Sequence, residues 1–231
     1  MKQFIKRIPV IGALAISAKK LFFPQSIFTN SEEYWIQRYK NGGNSGAGSY
    51  NKLAAFKGEV INEFVSKQKI ETVIELGCGD GNQLEYFKFP SYIGFDISPL
   101  IVSKCRDRFM QDEHKQFLLL NEISDQRAEL LLSLDVIYHL IEDDVYHSYM
   151  NQLFDRAISY VIIYSFDEDS HDFAPHIRAR KFTKWIEENK PDFQLIKHIP
   201  NRYPSEKDKE ETTSFSDFYF YQKSSPISSF N

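Results

Sequence analysis

Two glycine-rich stretches in this 231-residue chain have compositions suited to holding a ligand. Residues 41–50 read NGGNSGAGSY, and residues 75–82 read ELGCGDGN. The second has the stronger context. An apolar, β-rich run over 71–76 leads straight into Gly77-Cys78-Gly79-Asp80-Gly81, and a helical pattern follows over 83–88. Glycine there lets the backbone turn sharply and lets a ligand approach it closely. A second β-rich run, 92–97, ends around Asp96. A carboxylate at a second strand end can accept both hydroxyls of an adenosine ribose. Glu75 and Asp80 are poorly placed beside a pyrophosphate. They suit a cofactor that carries an ammonium and a sulfonium. The first stretch fails as a phosphate loop: aligned on Gly43 and Gly48, that pattern needs lysine where Ser49 stands. Aligned on Gly46 and Gly48, a dinucleotide loop needs glycine where Asn51 stands. Its glycines and its polar Asn44, Ser45, Ser49 and Tyr50 suit a closing lid, with Tyr50 expected to touch the bound ligand. An exposed linker is the plain alternative.

Such loops need a scaffold, and the pattern of the chain supplies one. Helices are expected over 31–39, capped by Ser31, and over 52–67, where Leu53, Phe56, Val60, Ile61, Phe64 and Val65 share a face. Further helices are expected over 99–110, with Pro99 in the first turn, and over 143–153 and 178–189. Strands are expected over 71–76, 92–97, 117–120, 131–138, 160–165, 193–199 and 217–222. Strands alternating with helices predict an α/β fold with a mostly parallel sheet covered on both faces. The last two strands are joined by residues 200–216, whose SEKDKEETTS run reads as a mobile surface loop. That link predicts an antiparallel closing hairpin.

At this point a resemblance becomes plain. VIELGCGDGN at 73–82 and YIGFDIS at 92–98 look like the first two cofactor motifs of class I S-adenosylmethionine-dependent methyltransferases. SLDVIYHLIED at 133–143 resembles the motif after that fold's fourth strand. An element like YWxxRY, then GGNSGxGSY, then GCGDGN is similar to bacterial methyltransferases of surface-glycan and secondary-metabolite pathways. The resemblance spans about residues 50–223. It implies a Rossmann-like, seven-stranded class I methyltransferase fold over 51–231, with 1–50 as a helical extension and lid. It also implies S-adenosyl-L-methionine as cofactor and S-adenosyl-L-homocysteine as product. In that frame Gly77, Cys78, Gly79, Gly81 and Asn82 surround the methionine part, and Glu75 acts on its amino group directly or through water. Asp96 holds the ribose, Ile97 packs on adenine, and Asn121 or Glu122 lies near the adenine edge. Asp135 organises the cofactor end of the site, and Tyr138 lines the pocket.

Methyl transfer from a sulfonium needs alignment and sometimes removal of a proton. His139 follows the fourth strand, where cofactor and acceptor meet, and is the candidate base; a structural histidine is the alternative. His176, Arg178 and Arg180, after the fifth strand, are candidates to grip a phosphate or carboxylate of the acceptor, or else form a solvated helix start. Arg178 and Arg180 are two apart, so on a helix they do not share a face. The activity implied is O-methylation of a small molecule or a sugar- or phosphate-containing acceptor. A non-catalytic cofactor-binding or scaffold subunit is the alternative.

A net charge of −4 argues against nucleic acid as partner. Cys78 and Cys105 are the two cysteines; neither a disulfide framework nor zinc spacing is present, and a cytoplasmic location is expected. Residues 2–23 form a basic, amphipathic pattern. It reads as a helix packed on the domain, a peripheral membrane contact or a cleaved signal.

Overall fold

The computed structural model describes residues 28–170 and 173–224. The expectations for residues 2–23 fall outside them. Seven strands form one sheet in the order β3-β2-β1-β4-β5-β7-β6. They are β1 (Thr72–Leu76), β2 (Ser91–Asp96), β3 (Lys115–Leu119), β4 (Ala128–Leu134), β5 (Ala157–Ser165), β6 (Phe193–Ile199) and β7 (Asp217–Lys223). The first five pair in parallel. β7 inserts antiparallel between β5 and β6, so the closing hairpin is present as expected.

Alternation along the strands sorts two cores onto the two faces of the sheet. Val73, Tyr92, Leu130, Leu132 and Phe220 pack with α2 (Asn51–Gln68) and α3 (Pro99–Arg108). Ile74, Phe95, Leu131, Val161 and Tyr221 pack with α4 (Asp143–Asp155) and α5 (Phe182–Asn189). Another helix, α1 (Ser31–Lys40), precedes these. Its cap is Asn30, whose side chain accepts the Glu33 N–H; Ser31 is instead the first helical residue. No helix among the described residues is long and apolar enough to cross a membrane.

The helix expected over 83–88 is only a 3-10 turn, Gln83–Tyr86. The reason is space. Gly58 of α2 lies so close that a Cβ there would sit 2.8 Å from the Tyr86 carbonyl. Asn62 of α2 donates to that same carbonyl and accepts the Lys88 N–H, each at 2.8 Å. α2 therefore covers the face that a longer crossover helix would occupy. The last helix starts at Phe182, later than expected; residues 178–181 are non-helical, with a bridge between Ser170 and Ala179 and a tight turn at Lys181. The link between β6 and β7 is anchored at its base by buried Asn201, which donates to the Tyr164 hydroxyl and the Ser216 carbonyl.

Candidate cofactor and acceptor site

After β1 the chain turns at Gly77, Gly79 and Gly81, with φ of 83°, 59° and 71°. This left-handed region favours glycine. A side chain would also collide: a Cβ on Gly77 would lie 2.6 Å from Val136, and one on Gly79 2.3 Å from Ser45 Oγ. The N–H groups of Gly77 and Cys78 both donate to the Phe95 carbonyl, tying the loop to the end of β2. Asp96 follows at once. Its Oδ2 accepts the Gly79 N–H at 3.0 Å and its Oδ1 the Ser98 N–H at 2.9 Å. Burial pushes this carboxyl up to about 6, against the lowering effect of its backbone donors. Gly77, Cys78, Gly79, Asp96 and Ile97 open on one cavity of about 550 Å³. That is an ordinary size for a small-molecule site, roughly 300–1,000 Å³. Gly81 does not face the cavity; it turns the loop against Phe109 and Cys105.

Glu75 sits beneath this loop, fully buried and outside the cavity lining. Gln83 Nε2 donates to its Oε1 at 2.9 Å and the Tyr92 hydroxyl to its Oε2 at 2.5 Å. Burial raises its pKa to about 7. The group that reaches the cavity is Gln83, and its Oε1 is buried with no hydrogen-bond partner among the described residues. Sequence reasoning passed over Gln83, although a glutamine opening the turn after the glycine loop was the available signal.

The stretch 41–50 lies directly on the glycine loop. Asp80 Oδ2 accepts the Ser45 N–H at 3.0 Å and the Tyr50 hydroxyl at 2.7 Å. Ser45 Oγ accepts the Asp80 N–H, and Asn82 donates to the Ser49 carbonyl, each at 2.8 Å. Ser45 and Ser49 line the cavity, whereas Tyr50 and Asn82 do not. Tyr50, expected on the ligand, is instead a latch on Asp80, and burial beside that carboxylate raises its hydroxyl to about 12.

Beyond β4, Asp135 adopts a φ of 59°, which costs a non-glycine residue about 1 kcal/mol or more. Three donors hold it there: Lys57 Nζ on Oδ2 at 2.9 Å, and the Tyr138 and Ser216 hydroxyls on Oδ1 at 3.0 Å. Lys57 was missed. Its side chain is fully buried, and in the sequence it stands inside the apolar stripe of α2. Tyr138 is spent on Asp135 and is not part of the cavity lining. His139 is. Its Nδ1 faces the His176 carbonyl at 3.0 Å, and a carbonyl only accepts, so the neutral ring carries its proton on Nδ1 and leaves a lone pair on Nε2. Trp35 packs edge-on against this ring at 4.8 Å. Burial drives the His139 pKa down to about 4. His176 stacks between Tyr34 and His139, and burial lowers its pKa as well.

Arg178 and Arg180 do not reach the acceptor space. The two arginines flank Ala179, which is bridged in β fashion to Ser170, so they share a side. Both guanidiniums reach Asp143, and both donate to the Ile141 carbonyl. They brace the start of α4. Asn121 and Glu122 also miss the cavity; Leu120 lines it instead, and Glu122 accepts the Leu119 N–H.

No family model and no curated protein matches the chain by sequence. Solved structures do match. The N-methyltransferase NodS from Bradyrhizobium japonicum WM9, in complex with S-adenosyl-L-homocysteine, superposes with a TM-score of 0.66 at 11% identity, over 84% of this chain and 99% of that one. Magnesium protoporphyrin IX methyltransferase (ChlM) from Synechocystis PCC 6803 gives 0.57 at 13%, over 85% and 97%. The methyltransferase domain of bacterial CtHen1-C gives 0.56 at 17%, over 75% and 100%. The chain has the class I methyltransferase fold. At these identities the likeness is one of fold. Within the methyltransferase fold the cavity runs along the carboxyl ends of β2, β1 and β4, where open α/β sheets bind ligands.

Proposed function

We propose that this chain binds S-adenosyl-L-methionine and transfers its methyl group to a hydroxyl of an uncharged small-molecule or sugar-containing acceptor. The observation that carries the reading is one cavity shared by the glycine cradle, the Asp96 carboxylate and the His139 ring. The residues fit the cofactor. Side chains at Gly77 or Gly79 would displace Val136 or Ser45 of the cavity wall, Asp96 has acceptor capacity left for ribose hydroxyls, and a turn of the Gln83 amide brings its unpaired Oε1 to an ammonium. Glu75 supports Gln83 from behind and so acts on that ammonium at one remove. When bound, the cofactor supplies a methyl carbon activated by a sulfonium.

His139 accepts the acceptor's proton at Nε2. It is a weak base, so the proton moves as the O–C bond forms, when the oxygen becomes strongly acidic, and then passes to solvent. Trp35 and the His176 carbonyl fix the plane of the ring. No lysine or arginine lines the cavity among the described residues, which favours an uncharged acceptor over the phosphate-bearing one.

Calorimetry tests the cofactor. S-adenosyl-L-methionine and S-adenosyl-L-homocysteine should bind and NADH should not. Affinity should weaken as pH falls through about 6, where Asp96 takes up a proton, and Asp96→Ala should abolish that dependence. Failure of both adenosyl ligands to bind sinks the proposal.

A further inference from the structure

The nucleobase end of the cavity has no polar group where the sequence placed one. Leu120 is the residue after β3 that lines it. Glu122 is turned back on the Leu119 N–H, with Arg106 3.8 Å away. Yet the base end is not wholly apolar. Val145, Ser148 and Gln152 of α4 line the same cavity as Ile97 and Leu120. Their spacing of three and four puts them on one face of the helix. One turn further, Arg156 donates to the Ser124 and Gln126 carbonyls, which holds this face of α4 against the segment that follows β3. The Gln152 Oε1 is buried and has no hydrogen-bond partner among the described residues.

A buried amide oxygen left unpaired forfeits the hydrogen bonds that water gave it. The Gln152 side chain lines the cavity wall, and a turn of its amide brings this oxygen to a ligand there that completes it. A ribose held by Asp96 at the end of β2 would leave its base to be held between Ile97 and Leu120, with Val145, Ser148 and Gln152 of α4 in the same wall.

We infer that Gln152 reads the amino-bearing edge of the purine, a specificity role carried by α4 rather than by the residues after β3. The side-chain amide offers an acceptor to the exocyclic amine and a donor to an adjacent ring nitrogen, the bidentate pairing that suits adenine. Ser148, one turn earlier, adds a hydroxyl beside it. The inference rests on the cofactor reading above, and the experiment separates the two.

The probes are S-adenosyl-L-homocysteine and its analogue lacking the 6-amino group, titrated into the full chain and into Gln152→Met and Gln152→Glu. Methionine keeps the length and shape and removes the hydrogen bonds; glutamate keeps an acceptor. The wild-type chain should prefer the amino ligand. Gln152→Met should lose roughly tenfold for it and little for the analogue, so that the preference collapses. Gln152→Glu should retain the preference. An unchanged preference in Gln152→Met, with ligand-free melting equal to wild type, overturns the inference. If the wild-type chain binds neither probe, the cofactor reading itself has failed.

Discussion

At the scale of single residues, the site divides into groups that touch the cavity and groups that hold them. His139 belongs to the first kind, and its role is separable from cofactor binding. We expect His139→Ala to lower kcat by roughly 100-fold or more while the affinity for S-adenosyl-L-homocysteine stays unchanged. Because the ring is neutral down to about pH 4, activity at saturating cofactor should persist well below the ordinary histidine value, near 6.5. Equal turnover in wild type and variant would remove His139 from the chemistry. Asp96 and the glycines were legible in the sequence because their chemistry lies in contiguous residues after apolar runs. Lys57 and Gln83 were not. A buried lysine declares itself only when its partner, Asp135, is brought across from another element. Gln83 gains its meaning from Glu75 behind it and the cavity in front. Arg178 shows the opposite failure: a cation in the right stretch, already claimed by Asp143 and a carbonyl.

At the scale of elements, most strands and helices stood close to where periodicity put them, though the strand expected over 131–138 runs over Ala128–Leu134 and gives way to a 3-10 turn at Ile137–His139. The turn after the glycine loop stays short because α2 packs against it, a long-range effect no local pattern records. The start of α5 is delayed because Ala179 bridges Ser170. The stretch 41–50 carries polar side chains that engage Asp80 from above, as a lid would. Asp80→Ala removes the acceptor for the Ser45 N–H and the Tyr50 hydroxyl together. We expect amide hydrogen exchange over residues 41–50 to speed up at least tenfold in that variant, with exchange in β4 and β5 unaffected. Unaltered exchange over 41–50 would show that the latch does not hold the segment.

At the scale of the whole molecule, two buried carboxyls under one loop make stability depend on pH. Glu75 and Asp96 have folded values near 7 and 6, raised by burial from the ordinary 4.5 and 3.8. A raised acid binds its proton more tightly in the folded state, so its contribution is greatest at low pH and is lost as pH rises through the folded value. The lowered His139 and His176 act in the opposite sense below about pH 6.5, so the ligand-free Tm should fall most clearly between about pH 6.5 and about pH 7.5, and Glu75→Gln should flatten that slope. A Glu75→Gln profile parallel to wild type would exclude Glu75 as the cause. The carboxylates lowered by surface partners, such as Glu59 and Glu206, work in the other direction at more acid pH and are screened by solvent.

The shortened link between β1 and β2 bears also on the order in which the molecule assembles. Only residues 77–90 separate these strands, fewer than separate any other neighbouring pair in the sheet. Closing a loop costs entropy that grows with its length, so this parallel pair is the least costly long-range pairing in the chain. The segment closed is the one that carries the glycine loop. On loop entropy alone, the surface that holds the ligand therefore lies in the segment closed at least cost.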